Sequence, residues 1–457
     1  MRQAEANMWI PELDPSRPVY RAIAEAIAQD MVRGRLATGD KLPPQRDLAR
    51  ALGLNLSSVT KAYKLAFELG LVNGEIGRGT YVRAGDASRI PWPSGENQIS
   101  IDFASNFPMP LDPSEDVVQL CQDMARYDVG ERLFEYVARG AANDDISPAA
   151  LWLEGLGVPT RLDGILLTSG AINGVFACLL ALAKAGETVL CEELTSPGLV
   201  SCARMMGLKL VGVPMDRDGM KIDAFERIAT ETGARVAVLN PTLNNPTLTD
   251  LSPDRRERLA AFALRSGIMI VEDEVYAPLL GTPPKPLAAL APDAVCYVTS
   301  FSKAVLPGLR IGYISAPPLI AERLRNAIRV STWMPSPMLA RLASRWVRDD
   351  TATRLIAKRR AAGRERIDLA RRVLRRHALA SRDDGLHVWL SLPQPWRGDE
   401  FATYARARGL TVMPSQDLAA NSTSSIQALR LSLGAEPSLE RLEQGLSRID
   451  LILRGRE

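Results

Sequence analysis

The chain is poor in the residues that build metal centres and cross-links. It has two histidines, His377 and His387, which form no pair at metal-ligand spacing, so no metal site is expected. His387, inside GLHVWL, reads as structural. The five cysteines, Cys121, Cys178, Cys191, Cys202 and Cys296, are odd in number and scattered. That argues against a disulfide framework and for a reduced, cytoplasmic compartment. No uninterrupted apolar run is long enough to span a bilayer, and no membrane partner is expected. The N-terminus lacks the basic stretch and apolar core of a secretory signal. There is no fixed-period repeat and no low-complexity tract. The net charge of +3 is too small to argue for a polyanionic partner, so local charge has to decide.

What is present is a soluble, globular composition. The 457 residues are 46 % apolar and 24 % charged, enough for two or three folding units with a sizeable core. The stretch from Pro18 to Val82 reads as three helices and a hairpin. Val19, Ile23 and Ile27 share one helical face. Pro43 and Pro44 restart the chain, Gln45 to Leu52 forms a second helix stopped by Gly53, and Ser57 to Leu69 forms a third. Val59, Tyr63 and Ala66 or Phe67 point inward on that third helix. Leu71–Val72 and Thr80–Val82 are short strands about a Gly-rich loop.

Two helices joined by a short Gly-containing turn and followed by a hairpin make a winged helix-turn-helix. Residues 14–84 are assigned to it. Its third helix would lie in a major groove and present Asn55, Leu56, Ser57, Ser58, Thr60, Lys61 and Lys64. Between Arg33 and Arg83 there are nine Lys or Arg against four Asp or Glu, an excess of five that favours contact with phosphates. Residues 85–99, rich in Pro and Gly, are a linker.

From Ile99 onward apolar runs alternate with helical stretches: Ile165–Leu167, Thr188–Cys191, Leu208–Val213, Arg235–Leu239, Ile268–Val271, Val295–Val298 and Arg310–Ile314. This predicts an α/β domain over residues 100–335 with a largely parallel sheet. Arg-rich helices followed by the strands DGLHVWLSLP and ALRLSLG predict a smaller α+β domain over residues 336–457.

Lys303 in TSFSKAVLPGLRIG follows a strand, so it points into the crevice where such sheets bind ligands. Ser300 and Arg310 flank it and suit a phosphate. Asp273 ends the strand of GIMIVEDEVY, and Tyr276 and Asn245 offer hydrogen-bond donors. Ser169, Gly170 and Ala171 lie between a strand and a helix, a natural phosphate cradle. A lysine for an imine, an acid for a pyridine nitrogen, and donors for a phosphate and a phenolate oxygen are what pyridoxal 5'-phosphate requires.

The words PVYRAIAEAI, LPPQRDLARALG, SSVTKAYKLAFELGLV and GRGTYV resemble the GntR family of bacterial regulators. With the later words in family order, the whole chain resembles the MocR-like branch, which fuses a winged helix to a fold-type I aminotransferase-like domain. The resemblance implies that Arg46 and Arg78 contact DNA, that Arg430 in ALRLSLG holds a substrate carboxylate, and that Tyr136 reaches the partner subunit's phosphate. It also implies a homodimer binding double-stranded operator DNA, with each winged helix packed on the other subunit and a small amino acid or amine as effector. The sequence departs from the family at four places. Leu56 stands where an Arg is usual, Ser196 in EELTSPG where an aromatic stacks on the ring, and Leu248 in NPTL where Gly is usual; the stretch around Tyr136 matches loosely. The expected function is a regulator whose pocket senses pyridoxal phosphate or an amine. The alternative is a working transaminase that carries a DNA-binding module.

Overall fold

The computed structural model describes residues 9–13, 18–32, 35–36, 40–68, 71–75, 79–82, 100–127, 133–137, 143–420 and 425–455, and the chain divides into two units, Met1–Arg89 and Ile90–Glu457. The linker segment 85–99 and Arg78 lie outside the described residues.

In the N-terminal unit the helices are Val19–Val32, Gln45–Leu52 and Leu56–Glu68, followed by the antiparallel pair Val72–Glu75 and Gly79–Val82. Ile23, Ile27, Leu48, Val59, Ala62, Tyr63, Ala66, Val72 and Val82 form its core. Of the two inward candidates, Ala66 is buried and Phe67 is exposed. The turn between the second and third helices works because Gly53 adopts φ +64°, a left-handed conformation without penalty for Gly, and returns its N–H to Ala49 and Arg50. The Asn55 side chain then accepts from the Ser57 N–H at 3.4 Å and starts the third helix. Inside, the Tyr63 hydroxyl donates to the Pro43 carbonyl at 2.6 Å and fixes the Pro-Pro corner.

The C-terminal unit is built on a seven-stranded sheet in the order Ile165–Thr168, Gly312–Ser315, Val295–Ser300, Met269–Asp273, Val236–Leu239, Thr188–Glu192, Lys209–Val213. Gly312–Ser315 runs antiparallel to both neighbours; the remaining pairs are parallel. These strands are nearly all apolar, as expected where helices cover both faces. A four-stranded sheet contains His387–Ser391 and Ala428–Ser432. The strand Ile101–Asp102 pairs with Leu410–Thr411, so the first described residues of this unit join the C-terminal part of the chain. A large apolar cluster fills most of it, and a smaller one gathers Ala104, Leu194, Trp389, Met413, Leu418 and Ala428. Among the described residues no helix is long and apolar enough to cross a membrane.

Candidate functional site

The carboxyl ends of adjacent parallel strands converge on one cavity of about 280 Å³. Such strands deliver their following residues to a common crevice. Ser196 follows Thr188–Glu192, Asn240 and Asn245 follow Val236–Leu239, Asp273 closes Met269–Asp273, and Lys303 sits in the short helix Phe301–Ala304 after Val295–Ser300. All of them line the cavity, together with Ala171, Tyr276, Ser300, Ser302, Arg310 and Arg430.

Asp273 is the acid at the cavity wall. Its Oδ1 is shielded from solvent and has no hydrogen-bond partner among the described residues. Burial pushes its pKa up to about 7, against the opposing pull of the Val275 N–H and the Lys303 ammonium. Lys303 is pushed down to about 8 by burial and by the Arg430 and Arg310 cations, with Asp273 opposing. A fraction of Lys303 is therefore neutral near physiological pH, the form that has a lone pair to bond with.

Tyr276 is buried and accepts from the Asn106 Nδ2 at 2.8 Å. Burial raises its pKa, so it stays protonated and keeps its hydrogen to donate. Arg430 is fully buried; its guanidinium donates to Asn245 Oδ1 at 3.1 Å and to the Ala104 carbonyl, and its Nε has no partner among the described residues. Burial lowers its pKa to about 10, which still leaves it cationic.

At the other end, Arg310 donates to Ser302 Oγ at 3.1 Å and to the Ser169 carbonyl at 3.2 Å. Gly170 (φ +90°) lets the guanidinium approach, because a Cβ there would lie 2.8 Å from its Nη2. Ala171 opens the helix Ala171–Leu182, whose first turn carries N–H groups without intrahelical partners. Ser169 lies in the same strand-to-helix turn. Its N–H is already donated to Asn173 Oδ1 at 3.0 Å, and its carbonyl serves Arg310.

Ser196 lines the cavity but offers no ring to stack on a cofactor. Its hydroxyl caps the helix Pro197–Met205 by accepting from the Leu199 N–H at 3.3 Å, which leaves Ile172, Pro197 and Gly198 along that wall. Leu248 keeps the left-handed backbone (φ +64°) that Gly adopts freely, and buries its side chain instead. Tyr136 is not brought to this chain's cavity: it is 80 % exposed and meets Trp333 edge-on at 5.7 Å. His387 is buried, and burial together with Arg430 pushes its pKa to about 3. Neutral, it donates from Nε2 to the Pro246 carbonyl at 3.0 Å.

Four residues of this site were not singled out from the sequence. Asn106 and Ser302 are described above. Asn240 donates to the Asp273 carbonyl at 2.7 Å and accepts from the Asn245 N–H at 2.8 Å. Behind it, Glu192 accepts the Asn240 N–H at 2.6 Å. Only Ser302 could have been found, as the second serine of SFSK.

On the N-terminal unit, Arg46, Asn55, Leu56, Ser57, Thr60, Lys61 and Lys64 are exposed on the second and third helices, and Ser58 is half-buried. The Thr60 hydroxyl donates to Gln45 Oε1 at 2.9 Å, which ties the two helices together.

The model of bacterial regulatory proteins of the gntR family matches residues 19–82, and that of aminotransferase class I and II matches residues 101–449. The HTH-type transcriptional regulator YdeF of Bacillus subtilis is 29 % identical over 96 % of this chain and 95 % of its own. The vitamin B6 salvage pathway transcriptional repressor PtsJ of Salmonella typhimurium is 27 % identical over 81 % and 84 %. Among solved structures, a kynurenine aminotransferase of Pyrococcus horikoshii superposes with a TM-score of 0.73 at 20 % identity, over 79 % of this chain and 92 % of that one. Residues 101–449 thus belong to the aminotransferase class I and II family and follow a DNA-binding module of the gntR family, so that the chain is a GntR regulator of the MocR-like kind.

Proposed function

We propose that this chain is a cytoplasmic, sequence-specific transcriptional regulator whose aminotransferase-like pocket binds pyridoxal 5'-phosphate and senses that cofactor or an amino acid or amine joined to it. The carrying observation is the set of polar atoms left over in the cavity. The shielded Asp273 Oδ1 needs a donor, as a protonated pyridine nitrogen supplies, and the Arg430 Nε needs an acceptor, as a carboxylate supplies. The Gly170 cradle beside Arg310 would close if a side chain were added. The residues present therefore fit the cofactor.

When bound, the cofactor supplies an electrophilic carbon and an electron-accepting ring. Lys303, partly neutral, is the amine that would hold it. Asp273 holds the ring-nitrogen proton in place, and Tyr276 and Asn245 donate to the phenolate oxygen. Ser300, Ser302, Arg310 and the first turn at Ala171 hold the phosphate. Arg430 is the cation for an effector carboxylate, and it can release the Ala104 carbonyl to accept one. The winged helix reads DNA through Asn55, Ser57, Ser58, Thr60, Lys61 and Lys64, with Arg46 and Arg78 on phosphates. A homodimer is part of this reading. Phe134, Tyr136, Val330 and Trp333 are large apolar side chains left exposed on the C-terminal unit, and a second copy would cover them and bring Tyr136 to its pocket.

The test is to titrate the purified protein first with pyridoxal phosphate and then with amino acids. The cofactor's absorption band is followed together with affinity for an operator selected from random DNA. The expected outcome is an operator affinity that changes with the state of the pocket. Steady production of keto acids with an operator affinity indifferent to every ligand would replace sensing by transamination.

A further inference from the structure

Asn106 stands in no motif, yet it touches the two most reactive groups of the cavity. Its backbone carbonyl accepts a hydrogen bond from the Lys303 ammonium, and its Nδ2 donates to the Tyr276 hydroxyl at 2.8 Å. Its Oδ1 is shielded from solvent without a partner among the described residues. The stretch that carries it is tied at several backbone points. The Phe103 carbonyl accepts the Ser432 N–H at 2.9 Å, the Ala104 carbonyl accepts Arg430, and the Met109 carbonyl accepts the buried Arg359. Arg359 also holds the carbonyls of Ala304 and Val305, next to Lys303. Gly434 lies so close that a Cβ there would overlap the Phe107 carbonyl.

We propose that Asn106 is a positioning residue for Lys303: its side chain, held by Tyr276, aims its carbonyl at the lysine, and so ties the state of the lysine to the chain segment 103–109. This role takes Lys303 to be the cofactor-bonding amine, as proposed above. While Lys303 is a free ammonium, the carbonyl is satisfied. Once the lysine is engaged elsewhere, a part-buried carbonyl is left without this donor, a less favourable state that favours movement of the segment. In sequence that segment follows residues 83–99 and the DNA-binding module, so the link gives pocket chemistry a short route along the chain toward the linker. The charged and titratable groups facing Lys303 are Asp273, which favours its ammonium, Arg310 and Arg430, which oppose it, the protonated Tyr276, and neutral His387.

The test uses the full chain freed of cofactor. Lys303 is reductively methylated in short pulses across a pH series, and its modification is quantified by peptide mass spectrometry to give a midpoint. Asn106→Ala is expected to lower that midpoint by about half a pH unit or more, because a hydrogen bond to the charged form is misaligned. Asn106→Asp, nearly the same size, is expected to raise it by placing a carboxylate beside the ammonium. Tyr276→Phe should also lower it, and the Asn106→Ala, Tyr276→Phe double variant should fall no further than the larger single effect. A structural role alone would not move the midpoint in opposite directions for Ala and Asp. If Asn106→Ala fails to fold, the Asp variant and Tyr276→Phe carry the test. An unchanged midpoint in the folded variants, or the same direction for Ala and Asp, overturns the assignment. With no cofactor present, this failure is distinct from failure of the cofactor reading, which would appear as wild-type protein that does not bond pyridoxal phosphate at Lys303.

Discussion

In the N-terminal unit the described residues offered to DNA lie between Arg46 and Lys64, nearly all exposed. In the C-terminal unit, the Arg430 guanidinium and the Ala104 carbonyl that it holds are 326 positions apart, and Arg430 is fully buried. The difference sets how each region responds to change. Exposed cations act on phosphates through water and salt, so each contributes separately and modestly. Buried polar groups satisfy one another at close range, so removing one strands its partners and the effects are steep and coupled.

The sharpest break of that comparison is Lys303→Ala. Attachment of pyridoxal phosphate should be lost altogether, seen as the absence of any borohydride-fixed adduct on the peptide that spans position 303. Operator binding by the cofactor-free protein should persist, since no DNA-facing residue is touched. An adduct fixed on another lysine would move the site.

Arg430→Ala comes next. Removing the guanidinium leaves Asn245 Oδ1 and the Ala104 carbonyl without this donor. We expect the C-terminal unit to lose about 2–4 kcal/mol in denaturant melts. The response of operator affinity to α-amino acids should disappear, while pyridoxal phosphate still bonds to Lys303. A response to amino acids that survives would point to an effector without a carboxylate. A lost response to the cofactor alone would contradict the assignment of Arg430 to the effector.

Asp273→Asn tests the buried acid. Losing a charge-assisted hydrogen bond to the ring nitrogen should weaken cofactor binding by roughly 1.5–3 kcal/mol, measured by titration of the cofactor-free protein. It also has a pH signature. The folded pKa of Asp273 is raised to about 7 by burial, above the usual carboxylate value. The folded state therefore binds the extra proton, and the stability tied to it is complete below about pH 4 and declines as pH rises toward about 7. In Asp273→Asn that decline should be smaller across the same window. An identical pH profile in both proteins would place the titration elsewhere, with Glu192, also raised to about 7, the first alternative.

Arg46→Ala should have the smallest effect. If Arg46 meets one phosphate, the slope of log affinity against log salt becomes shallower by about one unit, and the fold and cofactor spectrum do not change. An unchanged slope would make Arg46 a solvated surface charge.

The parts legible in the sequence were those that depend on near neighbours. The winged helix follows from Pro43–Pro44, Gly53 and the apolar spacing of Val59, Tyr63 and Ala66. Asp273, Ser300 and Lys303 could be singled out because each lies at or just past the end of a strand, where α/β sheets expose ligand groups. The direction of Gly312–Ser315 was not legible, because an apolar run reads the same parallel or antiparallel. The hydrogen bonds of Ser169 were not legible for a related reason. A strand-to-helix turn announces free N–H groups, but only the placement of Asn173 shows that this one is already used.

The sequence by itself determined which motifs the chain carries and in what order, and where the excess positive charge lies. Only the tertiary structure decided which donors meet which acceptors. It turned the Ser196 hydroxyl to a helix cap, set Asn240 between Asp273 and Asn245, and brought Asn106 to Lys303 and Tyr276. It also left Asp273 Oδ1 and Arg430 Nε without a partner among the described residues. The physical reason is range. Helix and strand patterns are set by residues a few positions apart, whereas a hydrogen bond is settled at about 3 Å between groups that the chain can separate by hundreds of residues.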